Sequence, residues 1–383
     1  LVPRRHRWGR VTGHRPRVLV DLTDPDLWQR GVPHEQFKRL RAESPVAWSD
    51  HPSGHRGEDP PRHHELRALT PAHFTPESVR AYESYIRALA VAAIDSALAA
   101  GECDLVFQLS ERVPIRVLGR ILGVPEEMVD DLVRLGNQMI GSDDPEYIDT
   151  MLAEVASDER RLLPFGHPAA VEAFQMAWRI ARDRRDRPGQ DVMTSLALGK
   201  IDGEPLSDQE LGTYFVLLVI AGNETTRHSL TPGVAALAQH PDQWSLLRSG
   251  AADPTRTADE VLRWATAIHF HRRVATTDVL LRDVEIAAGE KVALYFASAN
   301  FDEAVFIDPY RLDLNRSPND HVAFGRGGPH FCLGAHLARL EVRVVLEELA
   351  ARVSSIELVG EPVRLRSNHI NGIKHLPVRL RTA

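Results

Sequence analysis

A mainly α-helical domain with small β-sheets is the fold class this sequence predicts, and three observations predict it. A very apolar helical stretch follows Ser207, an Ala-rich helical pattern runs from Pro76 to Gly101, and strand signals are few and confined to the last third of the chain. Thr75-Pro76 reads as an N-cap with proline at the first helical position, so one long helix is expected from there to Gly101. Ser207-Asp-Gln-Glu210 is a capping-box pattern that opens a second helix, expected to run to about Leu230 and to stop before Pro232. At ~1.5 Å per residue that helix spans roughly 35 Å, enough to cross a domain, so it must be central. Asp253-Pro254 opens a third helix, which carries Glu260-Val-Leu-Arg263, and a fourth follows Cys332. In the fourth, Leu333, Leu337, Leu340 and Val344 fall at spacings of four, three and four, which is one buried helical face. Residues 284–296 read as a hairpin about Ala288-Gly289, and Asn371-Gly372 marks another.

Length and composition narrow the function. The 383 residues include no repeat and no low-complexity linker, and 43% hydrophobic with 26% charged residues is the balance of a chain that buries a sizeable core. A net charge of −7 argues against a nucleic-acid binder and favours small-molecule chemistry. The strongly apolar run near Tyr214–Ala221 is far below the ~20 residues that span a bilayer, so no membrane span is expected. Two cysteines are too few for a disulfide framework and fit a reducing cytoplasm; Cys103 reads as a small packed residue. Residues 1–17 are basic, without acids or an apolar core, and are expected to be a loose or added tail ahead of one domain over 18–383.

Chemistry concentrates in two segments. FGRGGPHFCLG, Phe324 to Gly334, sets a lone cysteine after a glycine-rich loop and directly before a helix. A thiolate ligand needs deprotonated sulfur, which the positive end of the following helix favours, and glycines let backbone N–H groups approach both sulfur and a flat macrocycle. The same segment also fits a structural cysteine in a glycine-rich turn. In the apolar helix, AGNETT (221–226) places Ala221 and Gly222 where a helix could pass flat against a ligand. It also sets an acid, Glu224, and a hydroxyl, Thr225, where packing alone would not put them. The alternative is a kinked helix with threonine hydroxyls bonded back to the preceding turn. Glu260 and Arg263, at i and i+3, read either as a surface pair or, through Thr257-x-x-Glu260, as a capping box.

Taken together, these segments resemble the cytochrome P450 family, whose signature is Phe-Gly-x-Gly-x-His-x-Cys-x-Gly. GPHFCLG matches its second half, while Phe324 stands eight residues before Cys332 instead of seven. The resemblance runs from Val18 to Leu380 and is strongest to actinobacterial members that oxidise sterols and branched or long aliphatic chains. SANFDEAVF, RSPNDHVAFG, GAHLARLE and RSNHINGIKHLPVRL carry that likeness.

It implies a cytochrome P450 fold with haem b between the long central helix and the cysteine loop, and Cys332 as the iron ligand. Thr225 would hold dioxygen and its water and Glu224 would relay protons, with Ala221 and Gly222 completing that element. His63, Arg67, Arg273 and His330 would meet the haem propionates, and Phe324 and Gly334 would frame the cofactor. Glu260 and Arg263 would form a buried ion network that fixes the cysteine loop, completed by Arg311. The implied activity inserts one oxygen atom from O2 into an apolar substrate, steroid or lipid-like, with electrons from ferredoxin and ferredoxin reductase.

Two departures stand out. Between PVAWSD (45–50) and EDPPRHH (58–64) the family carries several dozen residues roofing the pocket, where this chain has seven, and Phe301 stands where the family often has arginine. A haem-binding protein without productive monooxygenation, for want of that roof, is therefore the rival reading. A helical scaffold in which both motifs are accidental is the third.

Overall fold

The computed structural model describes residues 21–47, 59–141, 144–147, 163 and 167–383. The basic tail over 1–17 and the whole of the short 50–58 stretch lie outside them. In chain order the helices are α1 (Pro25–Gln29), α2 (His34–Glu43), α3 (Arg62–Arg67), α4 (Pro76–Arg80), α5 (Glu83–Ala100), α6 (Arg112–Leu122) and α7 (Val129–Ile140). They continue with α8 (Pro168–Asp186), α9 (Val192–Leu198), α10 (Asp208–Gln239), α11 (Pro241–Arg248), α12 (Pro254–Ala265), α13 (Phe296–Ala299) and α14 (Ala335–Arg352). The strands are β1 (Glu102–Asp104), β2 (Lys200–Ile201), β3 (Glu204–Pro205), β4 (Phe270–Val274), β5 (Val279–Leu281) and β6 (Val284–Ile286). After them come β7 (Lys291–Tyr295), β8 (Val353–Leu358), β9 (Val363–Arg364), β10 (Ile373–His375) and β11 (Pro377–Thr382). They make one antiparallel sheet in the order β1-β11-β8 and two-stranded pairs β2-β3, β4-β7, β5-β6 and β9-β10.

The axis of the fold is α10, which α6, α7, α8, α9, α11, α12 and α14 surround. Its capping box is present: the Ser207 hydroxyl accepts from the Glu210 N–H at 3.2 Å, and the Glu210 carboxylate accepts from the Ser207 N–H at 3.0 Å. The helix does not stop before Pro232; it runs on to Gln239. Burial explains the continuation, because Leu230, Thr231, Gly233, Val234, Ala235 and Leu237 are all buried. Tight packing of this half against α12 outweighs the cost of a lost backbone bond, about 3 kcal/mol. The fit is close enough that a Cβ on Gly233 would lie 2.5 Å from Val261 Cγ1.

Elsewhere the structure corrects local expectations. Thr75 is an N-cap, but the helix it opens ends at Arg80, where the Tyr82 N–H bonds back to Val79 at 3.0 Å and tightens the turn before α5 begins. Residues 284–296 are not one hairpin: β6 pairs with β5, and β7 pairs with β4. Gly289, at φ 88°, sits in the turn that carries the chain from one pair to the other. Asp253, not Thr257, caps α12, accepting from the Arg256 N–H at 2.8 Å, so Thr257 falls inside the helix.

Asn371-Gly372 is not a hairpin turn either. Asn371 anchors to the end of α12, its N–H donating to the Ala267 carbonyl at 2.8 Å and its side-chain amide to the Ala265 carbonyl. Gly372 is required by proximity: a Cβ there would lie 2.7 to 2.9 Å from three atoms of the rigid His228 ring. Gly372→Ala is expected to cost about 1–3 kcal/mol as overpacking, read in thermal unfolding. A variant as stable as the parent would show that His228 yields freely. Among the described residues no helix is long and apolar enough to cross a membrane.

Candidate active site

The cysteine loop is built by its own backbone. The Cys332 N–H donates to the Phe324 carbonyl at 3.0 Å, and Gly325, Gly327 and Gly328 take φ values of 73°, 66° and 76°, the left-handed region that glycine adopts at no steric cost. Gly334 caps α14, so the sulfur sits at that helix's head. Phe324 therefore closes the loop through its carbonyl, and its ring lies 4.6 Å beneath the Arg339 guanidinium. Cys332 is solvent-accessible yet hemmed in. Burial pushes its thiol up, and the Gly334 N–H with the Arg67 and Arg339 charges only partly offsets that. The helix end alone thus does not ionise the sulfur, contrary to the sequence expectation. Coordination by a metal cation would displace the proton.

Behind the loop lies a closed ion network. Glu260 is fully buried; its carboxylate accepts from Arg263 Nε and Nη2, both at 2.8 Å, and from Arg316 Nε at 3.0 Å. The Asp313 N–H adds a bond at 3.0 Å and Asn319 Nδ2 one at 3.2 Å. Arg263 spends Nη1 on the carbonyls of Asn300 and Pro309, and Arg316 spends its remaining N–H groups on Ile307, Asp308 and Arg311 carbonyls. The third member is therefore Arg316 and not Arg311, whose side chain is exposed. Arg311 contributes only its carbonyl, because the loop turns its side chain outward. Phe301 packs its ring 5.1 Å from Arg263, covering the cation where an arginine would have repelled it. The neighbouring Asp259 joins Arg339 of α14, at 2.6 Å, to His321, at 3.2 Å, so the loop is fastened to α12 from both sides.

On α10, an open stripe interrupts an otherwise buried helix. Leu217 is 51% exposed while Val216 and Val219 are wholly buried, Ala221 is exposed, and Thr225 lies half-buried one turn further on. A leucine so exposed in the middle of a helix flanked by seven others marks an interior gap. Gly222 does not belong to that stripe: a Cβ there would lie 2.8 Å from Leu118, so the glycine serves the packing of α10 on α6. The Thr225 hydroxyl donates to the Ala221 carbonyl at 2.7 Å. Its proton is thereby committed, but its oxygen lone pairs remain free to accept from a ligand.

Glu224 points elsewhere and is fully buried. Its Oε1 accepts from Asn223 Nδ2 at 2.9 Å; its Oε2 accepts from Arg227 and lies 3.2 Å from His228 Nε2. Burial alone would push this carboxyl up, yet Arg227 and His228 hold it below the usual carboxylate range.

Basic groups gather near the loop. The His63 and His330 rings lie 4.1 Å apart, and Arg67 donates to the Phe331 carbonyl at 2.6 Å. Burial pushes both imidazoles down, and His63 Nδ1 is buried without a partner. Arg273 is exposed on β4 and donates to the Arg272 carbonyl at 2.9 Å. Sequence reading missed His271, whose imidazole is pushed down by burial and then by Arg273 and His330. Its position two residues before Arg273, on the same face of β4, was the available signal.

The donor set fits a haem. There is one accessible sulfur at a helix head, a gap beside α10 lined by Leu217 and Ala221, and an orphaned buried imidazole nitrogen beside an arginine for an acidic edge.

Comparison with known proteins agrees. Residues 255–354 match the family model described as Cytochrome P450. A steroid C26-monooxygenase of Mycolicibacterium smegmatis is 39% identical over 320 residues, 84% of this chain and 71% of that protein. A methyl-branched lipid omega-hydroxylase of Mycobacterium tuberculosis is 39% identical over 326 residues, 84% of this chain and 73% of that one. Among solved structures, a Mycobacterium marinum cytochrome P450 in complex with pseudoionone superposes with a TM-score of 0.85 at 32% identity, covering 95% of this chain and 99% of that one.

Proposed function

Because this chain belongs to the cytochrome P450 family of monooxygenases, we propose that it binds haem b through Cys332 and hydroxylates a steroid or methyl-branched lipid, with electrons from a ferredoxin and its reductase. The observation that carries this reading is the accessible sulfur of Cys332 in a loop that the Glu260 network fastens from behind. The substrate class rests on the two kinds of relative, both named for oxidising large apolar molecules. Two free cysteines accord with a cytoplasmic setting.

When bound, haem supplies the reductive activation of dioxygen, with thiolate donation favouring O–O cleavage. The protein's own residues do the rest. His63, Arg67, His271, Arg273 and His330 offer donors to the acidic edge of the cofactor, Leu217 and Ala221 give the pocket an apolar wall, and Thr225 accepts a hydrogen bond at Oγ1. Glu224 is the acid one residue from Thr225 that holds and releases protons.

Thr225→Ala is expected to keep haem and the substrate-induced spectral change while the yield of hydroxylated product per reductant consumed falls severalfold. Unchanged coupling would remove Thr225 from the mechanism. Product formation from a steroid or a branched fatty chain also decides against the rival reading of a haem binder without turnover.

A further inference from the structure

Where α2, the end of α12 and β9 meet, the chain holds a cation that no acid neutralises. Arg364, on β9, is half-buried, and its Nε is shut off from solvent without a partner. Its Nη2 donates to Asn371 Oδ1, and Asn371 is itself held by the Ala265 and Ala267 carbonyls at the end of α12. The guanidinium is thus pinned in place, yet no carboxylate among the described residues pairs with it. Acids on the surrounding elements are committed elsewhere: Asp26 to Arg366, Glu303 to Arg41, and Glu260 to Arg263 and Arg316. Burial therefore pushes the Arg364 guanidinium down with nothing to offset it.

Two imidazoles feel that charge and are themselves incomplete. His269 is 1% exposed and its ring lies 4.0 Å from Trp28, while the His34 ring lies 4.3 Å from Phe301. In both, Nδ1 is buried and has no partner. Burial, with Arg364 among the cations that add to it, pushes both imidazoles down, His34 to about 4. Both are neutral at neutral pH, so each can turn an N–H toward a negative group without adding charge of its own. His228 also feels Arg364, but its Nε2 already faces Glu224 at 3.2 Å. Ordered water could satisfy the orphaned nitrogens, but it carries no charge and leaves the cation unpaired, which is costly in an interior.

We infer that Arg364, with the Nδ1 groups of His34 and His269, forms a binding site for a small monocarboxylate. The Nε–H and the N–H groups that Asn371 leaves free match the two oxygens of a carboxylate, the pairing a guanidinium makes best. One cation and two neutral rings balance a single negative charge. Trp28 and Phe301 wall in the two rings, so the ligand is small, and the half-exposure of Arg364 gives it a way in from solvent.

The test titrates sodium formate into the haem-loaded protein, with ionic strength held constant by sodium gluconate, whose anion is too bulky for the site. Binding is read by calorimetry and the thermal unfolding midpoint alongside it, in the parent, Arg364→Gln, Arg364→Lys and His269→Phe. The parent is expected to bind one formate per chain saturably, and its midpoint to rise as the site fills. Arg364→Gln is expected to weaken binding at least tenfold and to lose the rise in midpoint. Should that variant fold poorly, Arg364→Lys keeps the charge without the fork and is expected to weaken binding on the order of tenfold. His269→Phe, which keeps a ring against Trp28, is expected to weaken it severalfold. A parent that gives no saturable formate binding overturns the site. Equal affinity in the parent and the Arg364 variants, or an equal rise in midpoint, would mean an adventitious anion only and overturns it as well.

Discussion

Glu260→Gln is expected to yield little folded protein and no stable haem complex. The glutamine has the right shape, but its amide nitrogen would face guanidinium donors, leaving one amide oxygen where two carboxylate oxygens accept. Removing one partner of a buried ion pair costs about 3–5 kcal/mol, because the remaining charge stays buried without compensation. Here two arginines are stranded by one change, against a total stability of about 5–15 kcal/mol. Breaking the network also frees the 300–322 segment that precedes the cysteine loop, where Asn300 binds the Val322 N–H at 2.7 Å. Expression yield and haem content measure the effect. A Glu260→Gln protein with normal haem content would show that the loop is held by other means.

Glu341→Gln is expected to do the opposite at alkaline pH. Glu341 lies on α14, fully buried, and burial pushes its carboxyl up to about 8, with only the Thr226 hydroxyl opposing. The folded chain therefore keeps a proton that the unfolded chain gives up near pH 4.5. Stability is complete below that value, falls as pH rises to about 8, and is flat beyond. The full loss approaches about 5 kcal/mol, at ~1.4 kcal/mol per unit. An amide mimics the neutral acid and cannot ionise, so the variant should match the parent near pH 5 and exceed it at pH 8 in denaturant unfolding. Equal pH profiles would mean that Glu341 is already ionised in the folded protein.

The sequence made legible what depends on local pattern. Capping residues at Ser207, Thr75 and Asp253 announced helix starts, and Cys332 with its flanking glycines announced the loop that leads into α14. What it hid depends on tertiary approach. Pro232 lies within a helix because both of its sides are packed, which no local propensity reports. Gly222 and Gly372 looked like ligand and turn glycines, but their missing Cβ atoms make room for Leu118 and His228. Arg316 was passed over for Arg311 because only the folded loop shows which arginine turns inward toward Glu260. The contacts of Glu111 and Asn137 with Arg227 were invisible, since they reach it from positions 116 and 90 residues away.

Whether the sulfur of residue 332 binds iron is read from the absorption spectrum of the reduced protein under carbon monoxide. The strongly red-shifted Soret band of a thiolate complex is predicted for the parent and its loss for Cys332→Ala. A parent that purifies with haem yet lacks that band, or a Cys332→Ala variant that retains it, would rule out Cys332 as the iron ligand.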